Sequence, residues 1–288
     1  MVYYSKDRGG CQVQAVLEVA QGARLARIRY EGCYAMGGGE RGKVLGFSAA
    51  SKGRLLDFLN SQPDCAPYAW VCLTYGDAWA VDGREIGKHL HVLSKRLLRR
   101  YPVSYWVWRI EWEVRKSGAH VGEWYPHVHV LGYRAFVGDS QELYSLRCWL
   151  WDAWQEIVGH RFRVDVESVG DVRDITGYLT KYMAKDGHGE GPPVVGRVWG
   201  VWGRKNVPDN LVSVPVDAGV GYSYRRQLNN YVGSCVRRGK YPRKRRPLRR
   251  YQGVRAYLSD DSAWRLLALV IDGEGVIDCE ATNEGSGG

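Results

Sequence analysis

No CxxC pair occurs anywhere in the 288 residues, and the seven cysteines (11, 33, 65, 72, 148, 235 and 279) are odd in number and widely scattered. That spacing argues against a zinc ribbon and against a disulfide framework, so reduced thiols of a cytosolic protein are the expectation. No apolar run approaches the ~20 residues that span a bilayer, and no charged-then-apolar leader opens the chain, which leads us to expect a cytoplasmic location and no membrane partner. No internal repeat is visible. Phenylalanine is scarce at four, whereas twelve Trp and nineteen Tyr supply rings that carry a polar handle. With 45% hydrophobic and 25% charged residues the composition is that of a folded domain rather than a disordered chain.

Acidic residues are missing from one stretch. Residues 237–255 hold ten Lys or Arg and no Asp or Glu, so this one segment equals the whole net charge of +10. Arg243, Lys244, Arg245, Arg246, Arg249 and Arg250 form its centre, with Tyr241, Tyr251 and Tyr257 interleaved. A run of this kind is often only a solvated tail. Aromatic interleaving suits nucleic-acid backbone contact, with affinity that falls as salt rises.

Periodicity supplies the coarse architecture. Residues 12–30 read as two strands separated by Gln-Gly, and 37–42 as a Gly-rich loop. Ala69–Tyr75 reads as a buried strand. Ile86, Leu90, Leu93 and Leu97 recur at helical spacing before Pro102. Residues 105–115 alternate: Trp106, Trp108, Ile110, Trp112 and Val114 take one face, and Arg109, Glu111, Glu113 and Arg115 the other. After a connection of about ten residues a second strand pairs with it. Ser140 is placed to cap a helix through Val158 carrying Leu143, Leu146, Leu150 and Trp154 on one face. Residues 161–169 alternate as a strand, 171–185 read as a helix, 187–196 as a loop, and 197–203 as a short strand; residues 206–236 give no clear period. The order β-α-β-β-α-β-α predicts an antiparallel sheet backed by helices, an α+β architecture.

The second of the paired strands contains Pro-His-Val-His-Val-Leu at 126–131. Alternation places His127 and His129 on one face and turns Val128 and Val130 to the core. Two imidazoles side by side suit a divalent metal. About fifty residues later the chain reads Gly-Tyr-Leu-Thr-Lys-Tyr. Helical spacing brings Tyr178 and Tyr182 to one face, and a phenol assisted by a metal can attack a phosphodiester. A tyrosine hydroxyl has a pKa near 10 and needs that help at neutral pH.

Three ordered segments, Val71-Cys-Leu-Thr74, Pro126-His-Val-His-Val130 and Tyr178-Leu-Thr-Lys-Tyr182, resemble the motifs of the HUH endonucleases, specifically the rolling-circle replication initiators of phages and plasmids. The likeness spans roughly residues 69–203, and Arg197–Gly203 is similar to a segment of phage and plasmid members. It implies a ferredoxin-like fold and nicking of single-stranded origin DNA through a 5′-phosphotyrosine, with a free 3′ hydroxyl left for a polymerase. Mg²⁺ or Mn²⁺ is the implied cofactor, held by His127, His129 and an acid of the preceding strand; Glu111 fits the pattern better than Glu113, and both stay open. Tyr178 matches the single-tyrosine pattern and Tyr182 the second position of two-tyrosine members, and either or both can serve as nucleophile. Lys181 is placed to neutralise a phosphate or orient DNA, or is a plain surface lysine. Thr74 serves as structural support or as a DNA contact. Implied partners are origin single strand with flanking duplex, and a helicase and polymerase of a bacterial or archaeal host. On this reading residues 1–64 extend the nuclease domain with strands and a loop, 65–205 form its core, and 206–288 form a C-terminal extension with the basic segment and a partly disordered acidic, Gly-rich tail.

Rival readings are kept with the feature that separates them. A relaxase would carry a third metal histidine and an N-terminal tyrosine, and a single-strand transposase shares the chemistry. A non-catalytic origin-binding protein would use the basic segment alone. A cupin-type metal enzyme would follow its HxH closely with Glu, which 131–134 do not supply. Gly37–Val44 imitates a phosphate-binding loop but has Val44 where Ser or Thr should hold Mg²⁺. The histidines at 89, 91, 120, 160 and 188 are expected at the surface or in loops.

Overall fold

The computed structural model describes residues 14–21, 25–31, 47–62, 69–76, 83–117, 120–133, 139–159, 162–169, 197–237, 254–257 and 260–271. In chain order the elements are β1 (Gln14–Ala20), β2 (Leu25–Glu31), α1 (Ala49–Asn60), β3 (Ala69–Tyr75), α2 (Gly83–Arg100), β4 (Tyr105–Val114), β5 (Trp124–Tyr133) and α3 (Ser140–Val158), then β6 (Phe162–Ser168), β7 (Trp199–Trp202), β8 (Leu211–Val216), α4 (Ala218–Arg237), β9 (Val254–Tyr257) and α5 (Asp260–Ile271). The helix expected over 171–185, the loops at 37–44 and 187–196, most of the basic run and the tail beyond 271 lie outside the described residues. Two compact units are formed, one from residues 40–59 and 65–208, the other from 1–39, 60–64 and 209–288. No helix among the described residues is long and apolar enough to cross a membrane.

The first unit is the α+β layer that the strand pattern predicts. Its five-stranded sheet has the order β6-β3-β5-β4-β7, and every neighbouring pair is antiparallel. Residues 69–168 therefore trace β-α-β-β-α-β in the ferredoxin-like arrangement. The alternation of β4 is what fixes its two faces. Trp106, Trp108, Ile110 and Trp112 join Val128 and Val130 in a core closed by Ile86, Leu90, Leu93 and Leu97 of α2 and Leu146, Leu150 and Trp154 of α3. Removing one such ring from water is worth about 1.5–3 kcal/mol, so this stripe sets the register.

The opposite face is divided along its length. At one end Trp70, Tyr105, Val107, Leu131 and Tyr133 are buried with Leu55 and Leu59 of α1. At the other end the same strands present Arg109, Glu111, Glu113, His127 and His129. The apolar half anchors the sheet face, and the polar half is left for chemistry.

Local details depart from expectation in two places. Asp139, not Ser140, caps α3: its carboxylate accepts from the Glu142 amide at 2.7 Å, because the cap residue stays extended while Ser140 is already helical. His89 is partly buried rather than superficial, with its Nδ1 3.1 Å from the Tyr75 hydroxyl.

The 197–203 segment is confirmed as a strand. β7 pairs with β4 and brings Gly200 opposite Trp108, where a Cβ would stand 2.9 Å from the indole. Gly203 has φ of 69°, and a Cβ there would lie 2.5 Å from the Ser104 carbonyl oxygen. Left-handed backbone and a clash against main chain both oppose a side chain. Gly203→Ala is expected to cost about 2–4 kcal/mol, read as a lower urea midpoint at unchanged slope; a midpoint equal to the parent's would show that the turn tolerates a side chain.

The second unit corrects the expected division of the chain. β1 and β2 do not lengthen the first sheet; they pair with strands about two hundred residues away, in the order β8-β1-β2-β9. Leu17, Val19, Ile28 and Tyr30 pack against Tyr224 and Leu228 of α4 and Leu266 and Leu267 of α5. The N-terminal strands and the region after residue 208 are thus one folding unit, because the hydrophobic face of a two-stranded hairpin needs further strands and a covering layer. Buried Glu18 accepts from Arg27 and Arg29 at 2.5 and 2.8 Å. Burial alone would raise its carboxyl, but these two guanidiniums hold it below the ordinary value.

Candidate active site

β4 and β5 pair so that Arg109 is opposite His129, Glu111 opposite His127 and Glu113 opposite Tyr125. The side-chain contacts run diagonally. His129 Nε2 lies 3.0 Å from Glu111 Oε2, and His127 Nε2 lies 3.5 Å from Glu113 Oε2. Each imidazole leans one step along the neighbouring strand, within the reach of diagonal neighbours on one sheet face. All four sequence-selected residues therefore meet on one surface, as two imidazole–carboxylate pairs.

The pairs differ in burial. Side-chain exposure is 10% and 5% for His129 and Glu111, against 18% and 37% for His127 and Glu113. The inner pair lies next to the apolar half of the face, where the Trp70 ring packs 5.0 Å from the His129 ring. The outer pair opens to solvent.

Three residues not singled out by the motif reading complete the surroundings. Arg109 is 1% exposed, with its guanidinium 4.7 Å from the centroid of the Phe47 ring, and so places a fixed positive charge on the same strand face as Glu111. Tyr125 donates its hydroxyl to Glu113 Oε2 at 3.2 Å and meets the His127 ring edge-on at 4.5 Å. Arg115 lies 4.9 Å over the Tyr125 ring and donates to the Gly76 carbonyl at 2.9 Å, just past β3. The signal for all three was their phase: 109 and 115 alternate with the two glutamates, and 125 with the two histidines. Burial, then the Glu113 charge and hydrogen bond, push the Tyr125 phenol above its ordinary value, so it stays protonated at neutral pH.

From β3, Thr74 is opposite His127 and Cys72 opposite His129. The Thr74 hydroxyl donates to the Arg163 carbonyl at 3.4 Å, a bond between strands. Burial, then the charges of Asp165 and Glu111, push the Cys72 thiol up to about 12. It is neutral and no nucleophile at physiological pH.

Imidazole nitrogens and carboxylate oxygens together make a donor set suited to a divalent cation. His129 Nδ1 is buried with no hydrogen-bond partner among the described residues, which leaves its ring less tightly fixed than a fully bonded one. The rings of His127 and His129 are 6.4 Å apart, centroid to centroid, and inclined by 20°. Among the described residues no three His, Cys, Asp or Glu side chains converge as a metal-binding group. The donor chemistry fits; the geometry is two adjacent pairs rather than a closed cage. Tyr178, Lys181 and Tyr182 lie outside the described residues, as do Arg243, Lys244, Arg245, Arg246, Arg249 and Arg250.

Comparison with known families bears on this surface. Residues 68–187 match the family model for replication-associated proteins of the ORF2 type. The matched stretch starts one residue before β3 and takes in Thr74, both glutamates, both histidines and the Tyr178–Tyr182 segment. It ends before the basic run and leaves most of the second unit outside. No curated protein and no solved structure matches the chain. The segment carrying the His–Glu pairs is thus similar to replication-associated proteins.

Proposed function

We propose that this protein initiates rolling-circle replication by nicking and rejoining single-stranded origin DNA through a tyrosine-linked intermediate. The observation that carries the reading is the meeting of His127, His129, Glu111 and Glu113 on one sheet face, inside a segment similar to replication-associated proteins. Mg²⁺ or Mn²⁺ held by the two histidines with Glu111 or Glu113 would polarise a non-bridging phosphate oxygen and offset developing charge.

The phenolic oxygen of Tyr178 or Tyr182 attacks the scissile phosphorus while the bond to the 3′ oxygen breaks. The phenol's proton ends on the released 3′ hydroxyl, and one phosphodiester is exchanged for another. A polymerase of the host extends that hydroxyl behind a host helicase. With two tyrosines, the second attacks the phosphotyrosine made by the first and frees a completed strand. Lys181 sits between them in sequence and balances phosphate charge. The protein acts in the cytoplasm of a bacterial or archaeal host. Its rivals of the same chemistry, relaxase and single-strand transposase, gain no support from any described contact.

The reading is tested with single-stranded oligonucleotides from a randomised pool and Mn²⁺. A protein–DNA adduct that survives denaturation and disappears with chelator is expected; cleavage that leaves no adduct would contradict it.

The basic segment has a separable role. Replacing Arg243, Lys244, Arg245, Arg246, Arg249 and Arg250 with Gln removes positive charge without touching the His–Glu face. Binding to single-stranded DNA is expected to weaken, and the slope of log K against log salt to flatten by about 0.7 for each phosphate no longer neutralised. Fluorescence anisotropy over a salt series measures this, and an unchanged slope would show that the segment does not touch the backbone.

A further inference from the structure

We infer that Tyr125 is a positioning residue that holds the outer half of the metal-binding surface, keeping Glu113 and His127 in place for a divalent cation. The inference rests on the metal reading above and goes beyond it, since nothing in the motif assigns a role to this residue.

The two His–Glu pairs pose different physical problems. Glu111 and His129 are immobilised by burial, with side chains only 5% and 10% exposed. Glu113 has 37% of its side chain exposed and lies farther from its histidine, at 3.5 Å. A partly exposed glutamate has several rotamers, and binding a cation costs the entropy of fixing it unless the protein has already done so. Tyr125 is in contact with both members of this looser pair. Its hydroxyl donates to the Glu113 oxygen that faces His127, and its ring meets the His127 imidazole edge-on.

Tyr125 is itself held from behind. Arg115 lies over its ring, and the same guanidinium donates to the Gly76 carbonyl at the end of β3. A chain of contacts therefore runs from β3 through Arg115 and Tyr125 to the outer pair. The phenol ties the orientation of a solvent-open carboxylate to the backbone of a buried strand.

Tyr125→Phe keeps the ring, its cation contact and its packing on His127, and removes only the donor to Glu113. The test is Mn²⁺ affinity of the full chain, read from the loss of the free-ion electron paramagnetic resonance signal with no DNA present. Tyr125→Phe is expected to weaken Mn²⁺ binding by about tenfold or more. In a Glu113→Ala background the same change should have no further effect, because the group through which Tyr125 acts is gone. Parent-like affinity in Tyr125→Phe overturns the inference. An equal loss in both backgrounds also overturns it, since that would be a general structural role. A parent chain that takes up no Mn²⁺ sinks the metal reading and this inference together.

Discussion

Tyr178→Phe combined with Tyr182→Phe is expected to abolish the covalent DNA adduct while leaving DNA affinity within a few-fold of the parent. The reason is chemical. A phenylalanine ring fills nearly the same volume and packs alike, but it has no oxygen to form a bond to phosphorus. Loss of a covalent nucleophile removes the reaction path itself, and residues acting as one catalytic unit commonly account for several orders of magnitude in rate. Binding, by contrast, draws chiefly on phosphate contacts, which these substitutions do not alter. The single variants separate the roles. If both tyrosines work in turn, each single change permits a first nick and blocks strand release; if one works alone, only its own change eliminates the adduct. Retention of the adduct in the double variant, seen on a denaturing gel, would remove tyrosine from the chemistry.

The second large effect belongs to the histidines. His127→Ala with His129→Ala takes away both imidazoles from the β5 face, and with them the groups that stand 3.0 Å from Glu111 and 3.5 Å from Glu113. Cleavage is expected to fall below detection and Mn²⁺ uptake to be lost, with origin binding kept. The two positions should differ in their stability cost. His129 is buried beside Trp70 and opens a cavity when truncated, whereas the more exposed His127 does not. Thermal unfolding of the single variants measures that difference, and a metal titration measures the other. Cleavage that persists without either imidazole would exclude this surface as the reaction site.

Much of the first unit was legible because its signals are local. Alternation through 105–115 fixed which side of β4 meets the helices, and the same phase put both glutamates with both histidines. Periodicity could not reveal that each histidine contacts the diagonal carboxylate rather than the opposite one, since phase gives a face and not a lean. Tyr125 and Arg115 were hidden for the same reason: they share the phase, but only the register shows what they touch. The second unit was illegible on physical grounds. β1 and β2 depend on partners about two hundred residues away, and nothing in their own composition records that pairing.

α4 shows propensity overridden by packing. Gly219, Gly221 and Gly233 argue against a helix at 218–237, each by about 1 kcal/mol. Asp217 starts it nonetheless, its carboxylate accepting from the Gly219 and Val220 amides at 2.6 and 3.0 Å. At 221 the glycine is needed, because a Cβ there would run into the Ala15 methyl. Close approach to β1 was the reason for the residue, and only the fold displays it.

One measurement reaches the central claim directly. Trypsin cuts after Lys181 and so places Tyr178 in the peptide 174–181 and Tyr182 in the peptide 182–185. After cleavage of single-stranded DNA with Mn²⁺ and digestion of the nucleotide tail, mass spectrometry of these peptides should find a nucleotide on one or both tyrosines. It should find none when the metal is chelated or when His127 and His129 are alanine. A nucleotide carried by any other peptide, or a cleaved strand with no peptide modified, would contradict the account.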